Sequence, residues 1–199
     1  PLDRITEADV WDDKALMDTY FFQIYENMPW DYLKDFGGGG FGVHRDAMSD
    51  LARSTYSWTQ ATNTYRPGNW GTANNTWPLD WWGYFNLWKI NYSIEKLEQV
   101  PASVLSDEER NNRLGEMHFL RAFCYFEMVK RYGGVPIILE AQNPDTTPED
   151  ELFPARNTEK EVYDQVLLDT QTAFDLLPNS WTSQRGRASK WAAKALESR

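Results

Sequence analysis

The stretch FLRAFCYFEMVKRYGGVPII, Phe119 to Ile138, decides the fold of this chain. Aromatic rings stand at Phe119, Phe123, Tyr125, Phe126 and Tyr132, and Arg121 sits among them. With Met117, Leu120, Ala122, Cys124, Met128 and Val129, these residues leave almost no polar sector on a helix, which predicts a central helix packed on several sides. A guanidinium in such surroundings needs a carboxylate or free carbonyls, so Arg121 is expected to form a structural ion pair. Gly133 and Gly134 are expected to supply a left-handed stop, and Val135-Pro136 an extended exit over Val135 to Leu139.

Working outward, the helix start is marked by Ser106-Asp-Glu-Glu109, a capping box, so the helix should run from about Glu108 to Tyr132. Upstream, Phe85, Trp88, Ile90, Tyr92, Ile94 and Leu97 form a helical stripe between about Trp82 and Val100, closed by Pro101. Near the start, Thr6-Glu-Ala-Asp9 offers a cap. One helix is expected from there to near Pro29, on Val10, Leu16, Met17, Tyr20, Phe21, Ile24 and Tyr25. Downstream of a polar connection, Ala141 to Arg156, Thr158-Glu-Lys-Glu161 is a second capping box. It opens a helix through Val162, Tyr163, Val166, Leu167, Thr170, Ala173, Phe174 and Leu177. Trp191, Ala192, Ala195 and Leu196 belong to a last helix from near Ser189 to Arg199 that meets no stop signal, so the native protein is expected to continue. Residues 30–82 are rich in Gly, Asn, Thr, Trp and Asp without a long period, and are expected to be a structured irregular region with a short helix around Ala47 to Arg53.

Composition excludes several functions. The chain has 199 residues, a formal charge of −10 and a pI near 4.7. That balance argues against nucleic acid or an anionic membrane surface as partner, since both are held by clustered Lys and Arg. A single cysteine, Cys124, allows neither an internal disulfide nor a zinc site. No apolar run reaches the length of about 18 residues that a span needs. No basic-then-apolar leader stands at Pro1. Ten Trp, ten Tyr and ten Phe make up 15% of the chain. Such residues serve where a flat apolar face and a polar edge are both wanted, although core packing is the commoner use.

Weaker signals resolve to structure. Gly37, Gly39 and Gly42 satisfy G-x-G-x-x-G, but no strand precedes them and no phosphate-loop Lys follows, so no nucleotide cofactor is expected. His44 and His118 lack ligand partners at short spacing, so no metal is expected, and His118 should be a packed, hydrogen-bonded residue. The acidic run from Asp145 to Glu151 lacks the ligand order of a calcium loop. Asn74 and Asn91 match glycosylation acceptors, which carry no weight if the source is bacterial. The residues thus give an all-α scaffold of tetratricopeptide-like helical hairpins with long irregular loops, whose helix spacing is too uneven for a clean 34-residue repeat. Two rival functions fit such a scaffold. One is an all-helical glycoside hydrolase drawing an acid and base pair from Asp31, Asp35, Asp46, Asp50 and Asp80; the other is a peptide-binding helical-repeat adaptor.

The stretch GEMHFLRAFCYFEMVKRYGGVPIILE resembles the hallmark of the SusD/RagB family. It is followed in family order by EVYDQVLLDTQTAFDLLP, Glu161 to Pro178, and GRASKWAAKALESR, Gly186 to Arg199. WWGYFNLWKINYSIEKLEQV is similar to the family's helix with an internal Asn, here Asn91. The resemblance runs in register from about residue 80 to Arg199, and upstream it is one of character. It implies one SusD-like helical domain over 1–199, the N-terminal part of a longer protein. It further implies a lipid-anchored nutrient-binding lipoprotein on the cell surface of the outer membrane, not an enzyme, passing glycans to a SusC-like TonB-dependent transporter as part of polysaccharide utilisation. The family's anchoring cysteine and C-terminal half are absent from this chain, so contact with the membrane is expected only through an anchor outside it.

A pyranose has C–H patches on its faces and hydroxyls at its edge, so a binder needs aromatic platforms beside planar amides or guanidinium groups. YRPGNWGTANNTWPLDWW, Tyr65 to Trp82, supplies that mixture. The expected ligand-binding residues are Arg66, Trp70, Asn74, Asn75, Trp77 and Trp81, beside Asn69 and Asp80, with Trp70 and Trp77 as first platforms. Trp82 and Trp88 are expected in the core.

Overall fold

The computed structural model describes residues 5–28 and 82–199. The chain divides into two compact units, one of Pro1–Met28 with Gly83–Arg199 and the other of Pro29–Trp82. The irregular region expected over 30–82, with its short helix at 47–53, lies outside the described residues apart from Trp82. The first unit is all-helical, with no strand among the described residues. Its helices are α1 (Glu7–Asp12), α2 (Lys14–Glu26), α3 (Tyr84–Gln99), α4 (Asp107–Tyr132), α5 (Glu149–Leu152), α6 (Glu159–Leu176) and α7 (Lys190–Glu197).

Helix starts follow the side-chain caps. The Ser106 hydroxyl accepts from the Glu109 N–H at 3.3 Å, and the Glu109 carboxylate accepts from the Ser106 N–H at 2.9 Å. Thr158 with Glu161 and Thr6 with Asp9 close the same reciprocal box. Two orphan donors are satisfied at each start. The single N-terminal helix expected from Thr6 is instead two. Asp13 takes an extended backbone, φ −128° and ψ 122°, and its carboxylate accepts from the Ala15 and Leu16 N–H groups at 2.7 and 3.0 Å. A short carboxylate that can cap the next turn competes with the helix it interrupts.

The long helix α4 is central, as its composition predicts. It packs chiefly on α6 and α3, while α6 also packs on α7 and α1 on α2. Met117, Leu120, Tyr125 and Met128 of α4 are fully buried with Leu87, Ile90 and Leu97 of α3 and Met17, Phe21 and Ile24 of α2. Phe123, one of the rings of this all-round apolar helix, is only half-buried. The ring that fills the centre is Tyr125.

At the C-terminus of α4, Gly133 has φ +66°, the left-handed stop expected. Gly134 serves a different need. A Cβ there would lie 2.0 Å from the Asn157 carbonyl oxygen, so this glycine permits close backbone approach and supplies no second left-handed turn. The chain then leaves helical structure over 135–139, held by the Tyr125 hydroxyl. That hydroxyl accepts from the Ile138 N–H at 2.7 Å and donates to the Ile138 carbonyl at 2.8 Å. Within the polar connection the short α5 was not anticipated.

The aromatic stripe of α3 differs from the sequence expectation. Trp88 is 42% exposed and Phe85 69% exposed, and Trp82 is exposed as well. The buried face of α3 is built instead from Asn86, Leu87, Ile90, Asn91, Ser93 and Leu97. A helical period ranks directions but does not say how wide the covered sector is.

Candidate functional site

Two buried polar clusters occupy the interior of the helical unit. In the first, Arg121 donates to Asp169 through Nε at 2.9 Å and Nη2 at 2.7 Å, a bidentate pair across α4 and α6. His118 Nδ1 lies 2.7 Å from the same carboxylate, and the Gln165 amide donates to it at 3.0 Å. Arg121 also donates to the Asn91 side-chain carbonyl at 3.1 Å. The Asn91 amide in turn donates to the Ile138 and Glu140 carbonyls at 3.0 and 3.2 Å. Burial alone would push the Asp169 carboxyl up. The His118 and Arg121 hydrogen bonds outweigh it and hold the group below the usual carboxylate range. The ion pair expected for Arg121 and the packed role expected for His118 are both present.

The second cluster centres on Glu116, fully buried on α4. Arg187 donates to it through Nε at 2.8 Å and again through Nη2, and the Tyr25 hydroxyl donates at 2.8 Å. Arg113 pairs with Asp18 at 2.9 Å alongside. Desolvation raises the Glu116 carboxyl even against its partners, and it also raises the Tyr25 phenol. The Arg187 guanidinium lies over the Trp181 ring, 3.9 Å from its centre, so its apolar faces are covered too. Each charged member of these clusters faces its counter-charge at hydrogen-bond distance. Such groups tie the helices together and leave no free base beside a nucleophile. Among the described residues no cluster of three His, Cys, Asp or Glu could hold a metal ion. Burial pushes the Cys124 thiol far up, which leaves it an inert packed residue.

A surface with different chemistry lies along α1 and α3. Trp88 stacks on Tyr92 with ring centres 5.2 Å apart and planes within 7°. The Trp88 indole N–H donates to the Gln142 carbonyl at 2.8 Å, which fixes its orientation. Tyr92 donates to Glu7, whose carboxylate also meets Lys96 at 2.7 Å. Those two bonds hold the Glu7 carboxyl below its usual range, the Lys96 contact being the stronger. Beside them Trp11, Asp12, Lys96, Gln99 and Pro101 border a shallow groove of about 470 Å³. Sequence reading placed Trp88 in the core and so missed this exposed ring, oriented against the half-buried Tyr92. The residues expected to bind ligand, Arg66, Trp70, Asn74, Asn75, Trp77 and Trp81, lie outside the described residues. So do His44, the glycines 37, 39 and 42, and Asp31, Asp35, Asp46, Asp50 and Asp80.

The described residues define the class as an all-helical hairpin scaffold with a charge-matched interior, and no described helix is long and apolar enough to cross a membrane. The particular family follows from comparison. The profile of a SusD-like family, described as starch-binding and associating with the outer membrane, matches residues 7–199. The chain belongs to the SusD-like family. A SusD-like protein of Formosa agariphila is 33% identical over 96 residues, which cover 48% of this chain and 17% of that relative. The crystal structure of a SusD-like protein from Bacteroides fragilis matches 100% of this chain at 30% identity and TM-score 0.70, and the match covers 36% of its own chain. A laminarin-binding SusD-like protein shares the fold at TM-score 0.72 and 23% identity, over 93% of this chain and 39% of its own. The chain therefore spans well under half of the relatives it matches.

Proposed function

We propose that this chain is the N-terminal part of a cell-surface glycan-binding protein that captures oligosaccharides at the outer membrane and passes them to a SusC-like TonB-dependent transporter. The observation that carries this reading is the family match over residues 7–199, whose description joins starch binding to the outer membrane. A lipid anchor outside these residues would hold the protein at the surface, and the function is binding with no chemical step. One further feature supports it: the Tyr65 to Trp82 segment concentrates aromatic rings, amides and a guanidinium. In this reading Trp70 and Trp77 stack on sugar faces, while Arg66, Asn74 and Asn75 bond to hydroxyls and Trp81 flanks them.

The test is calorimetric titration of the full-length protein with starch- and laminarin-derived oligosaccharides, comparing the parent with Trp70→Ala and Trp77→Ala. At least one variant is expected to lose about tenfold in affinity, or about 1.4 kcal/mol. Two folded variants that bind as the parent does would move the site elsewhere. Release of reducing ends from the glycan would replace binding with hydrolysis.

A further inference from the structure

The outer side of α3 presents a ring that the fold has fixed in place and left uncovered. Tyr92 stacks on one face of Trp88 with the planes within 7°, so the 42% of Trp88 that stays exposed belongs to its other face and its outer edge. The indole N–H is held by the Gln142 carbonyl at 2.8 Å, and Tyr92 is held in turn by its hydroxyl bond to Glu7. A ring pinned at face and edge loses little freedom when a ligand lies on it. Trp88, Tyr92, Lys96 and Gln99 then follow one another at i, i+4, i+8 and i+11 along one stripe of the helix. Lys96 lies over the Tyr92 ring, 5.3 Å from its centre, and with Gln99 it borders the groove of about 470 Å³. The opposite wall is α1 with Glu7, Trp11 and Asp12, where the Trp11 ring is fixed between those of Tyr20 and Tyr92 at 6.0 and 5.9 Å.

We propose that this side of α3 is a second glycan-contacting surface, distinct in sequence from Tyr65 to Trp82, on which an uncharged oligosaccharide lays one sugar face on Trp88 and sets hydroxyls of a further sugar in the groove between α1 and α3. The inference rests on the glycan reading of the chain and adds a site to it. Three observations select that ligand. The groove is lined mainly by polar groups, a hydroxyl, two carboxylates, an ammonium and an amide from Thr6, Glu7, Asp12, Lys96 and Gln99. An apolar helix seated there would leave them dry and unpaired, whereas a sugar brings a hydroxyl to each. The charges point the same way. Lys96 and Glu7 cancel at 2.7 Å, while Asp12 and Gln99 have no hydrogen-bond or ion-pair partner among the described residues. One carboxylate is therefore left over, which accepts from hydroxyls and repels a uronate or a sulfate. Length is the third. The eight residues from Trp88 to Lys96 span about 12 Å of helix, longer than one pyranose, so a ligand that touches both ends is an oligosaccharide.

The test is calorimetric titration of the full-length protein with maltoheptaose and with laminarihexaose, comparing the parent with Trp88→Ala, Trp88→Phe and Gln99→Ala. Trp88→Ala is expected to weaken binding of at least one oligosaccharide by about fivefold or more through the lost ring face. Trp88→Phe keeps a flat ring and should stay within about twofold of the parent. Gln99→Ala, which removes an exposed amide and no contact within the fold, should weaken the same oligosaccharide by about threefold. If the parent binds and either alanine variant, folded, binds equally well, this surface is overturned and the Tyr65 to Trp82 reading stands. Equal losses in Trp88→Phe and Trp88→Ala overturn the stacking. A parent that binds neither oligosaccharide overturns this inference together with the glycan reading. Should Trp88→Ala fail to fold, Gln99→Ala decides alone.

Discussion

Replacing Asp169 with Asn tests the interior most directly, because one carboxylate there answers three donors. Asp169 is almost fully buried, and Arg121, only slightly exposed, donates to both of its oxygens. Asn keeps the shape and removes the charge. The guanidinium would then remain in the core without its counter-ion, which costs about 3–5 kcal/mol for a buried pair broken on one side. At about 2–4 °C per kcal/mol for a chain of this size, the thermal midpoint should fall by about 6–20 °C. Urea unfolding at neutral pH, with circular dichroism as the signal, measures the loss. A loss below about 1 kcal/mol, the value of an exposed pair, would refute the argument that Arg121 depends on this carboxylate. The double variant Arg121→Met with Asp169→Leu should recover much of the loss, since apolar side chains of similar volume carry no desolvation cost. The pH dependence has a fixed sign. Burial raises the Asp169 carboxyl, its hydrogen bonds to His118 and Arg121 lower it further than that, and the folded value ends below the ordinary 3.8. The unfolded chain thus binds this proton more readily than the folded one. The stability from this group is whole above the ordinary value and is lost as pH falls through the folded one.

Three further outcomes check other parts of the fold. Glu109, bonded to Lys14 at 2.7 Å and to the Ser106 cap, titrates at about 2, so its support is lost as acid takes the pH down from 4.5 through that value. In an NMR titration Lys14→Met should move it upward, and an unmoved Glu109 would assign the whole shift to the cap. Tyr125→Phe strips the Ile138 N–H of its acceptor and should cost about 1–3 kcal/mol in urea unfolding; an unchanged midpoint would show that this N–H finds another partner. Gly133→Ala, with open space but φ +66°, should cost about 1–3 kcal/mol in backbone strain. Gly134→Ala should cost more, because its Cβ falls 2.0 Å from the Asn157 carbonyl, and a milder effect at 134 than at 133 would contradict the close approach.

What the sequence made legible was local and what it hid was spatial. The two capping boxes at Ser106 and Thr158 and the cap at Thr6, which closes as a third box with Asp9, stand where the sequence announces them, because a cap is satisfied within three residues of its own helix. Centrality of α4 was equally legible, since an all-round apolar surface has only one use in water. The need for a carboxylate at Arg121 could be argued from burial, yet Asp169 could not be named, because it arrives from a helix 48 residues away. The Asp13 break was missed since Asp is tolerated within a helix and marks a cap only when the backbone turns there. The same limit governs the candidate site. Between Tyr65 and Trp82 the sequence shows which side chains are available to a sugar, but stacking depends on which ring faces stay open. Trp88 shows how composition misleads on that point: its position on an apolar stripe argues for the core, while a hydrogen bond to Gln142 and a parallel contact with Tyr92 hold its ring at the surface. An oriented, exposed indole arises when a polar edge is anchored by backbone from another segment, so the residues most suited to present a flat face are those whose partners lie farthest away in the sequence.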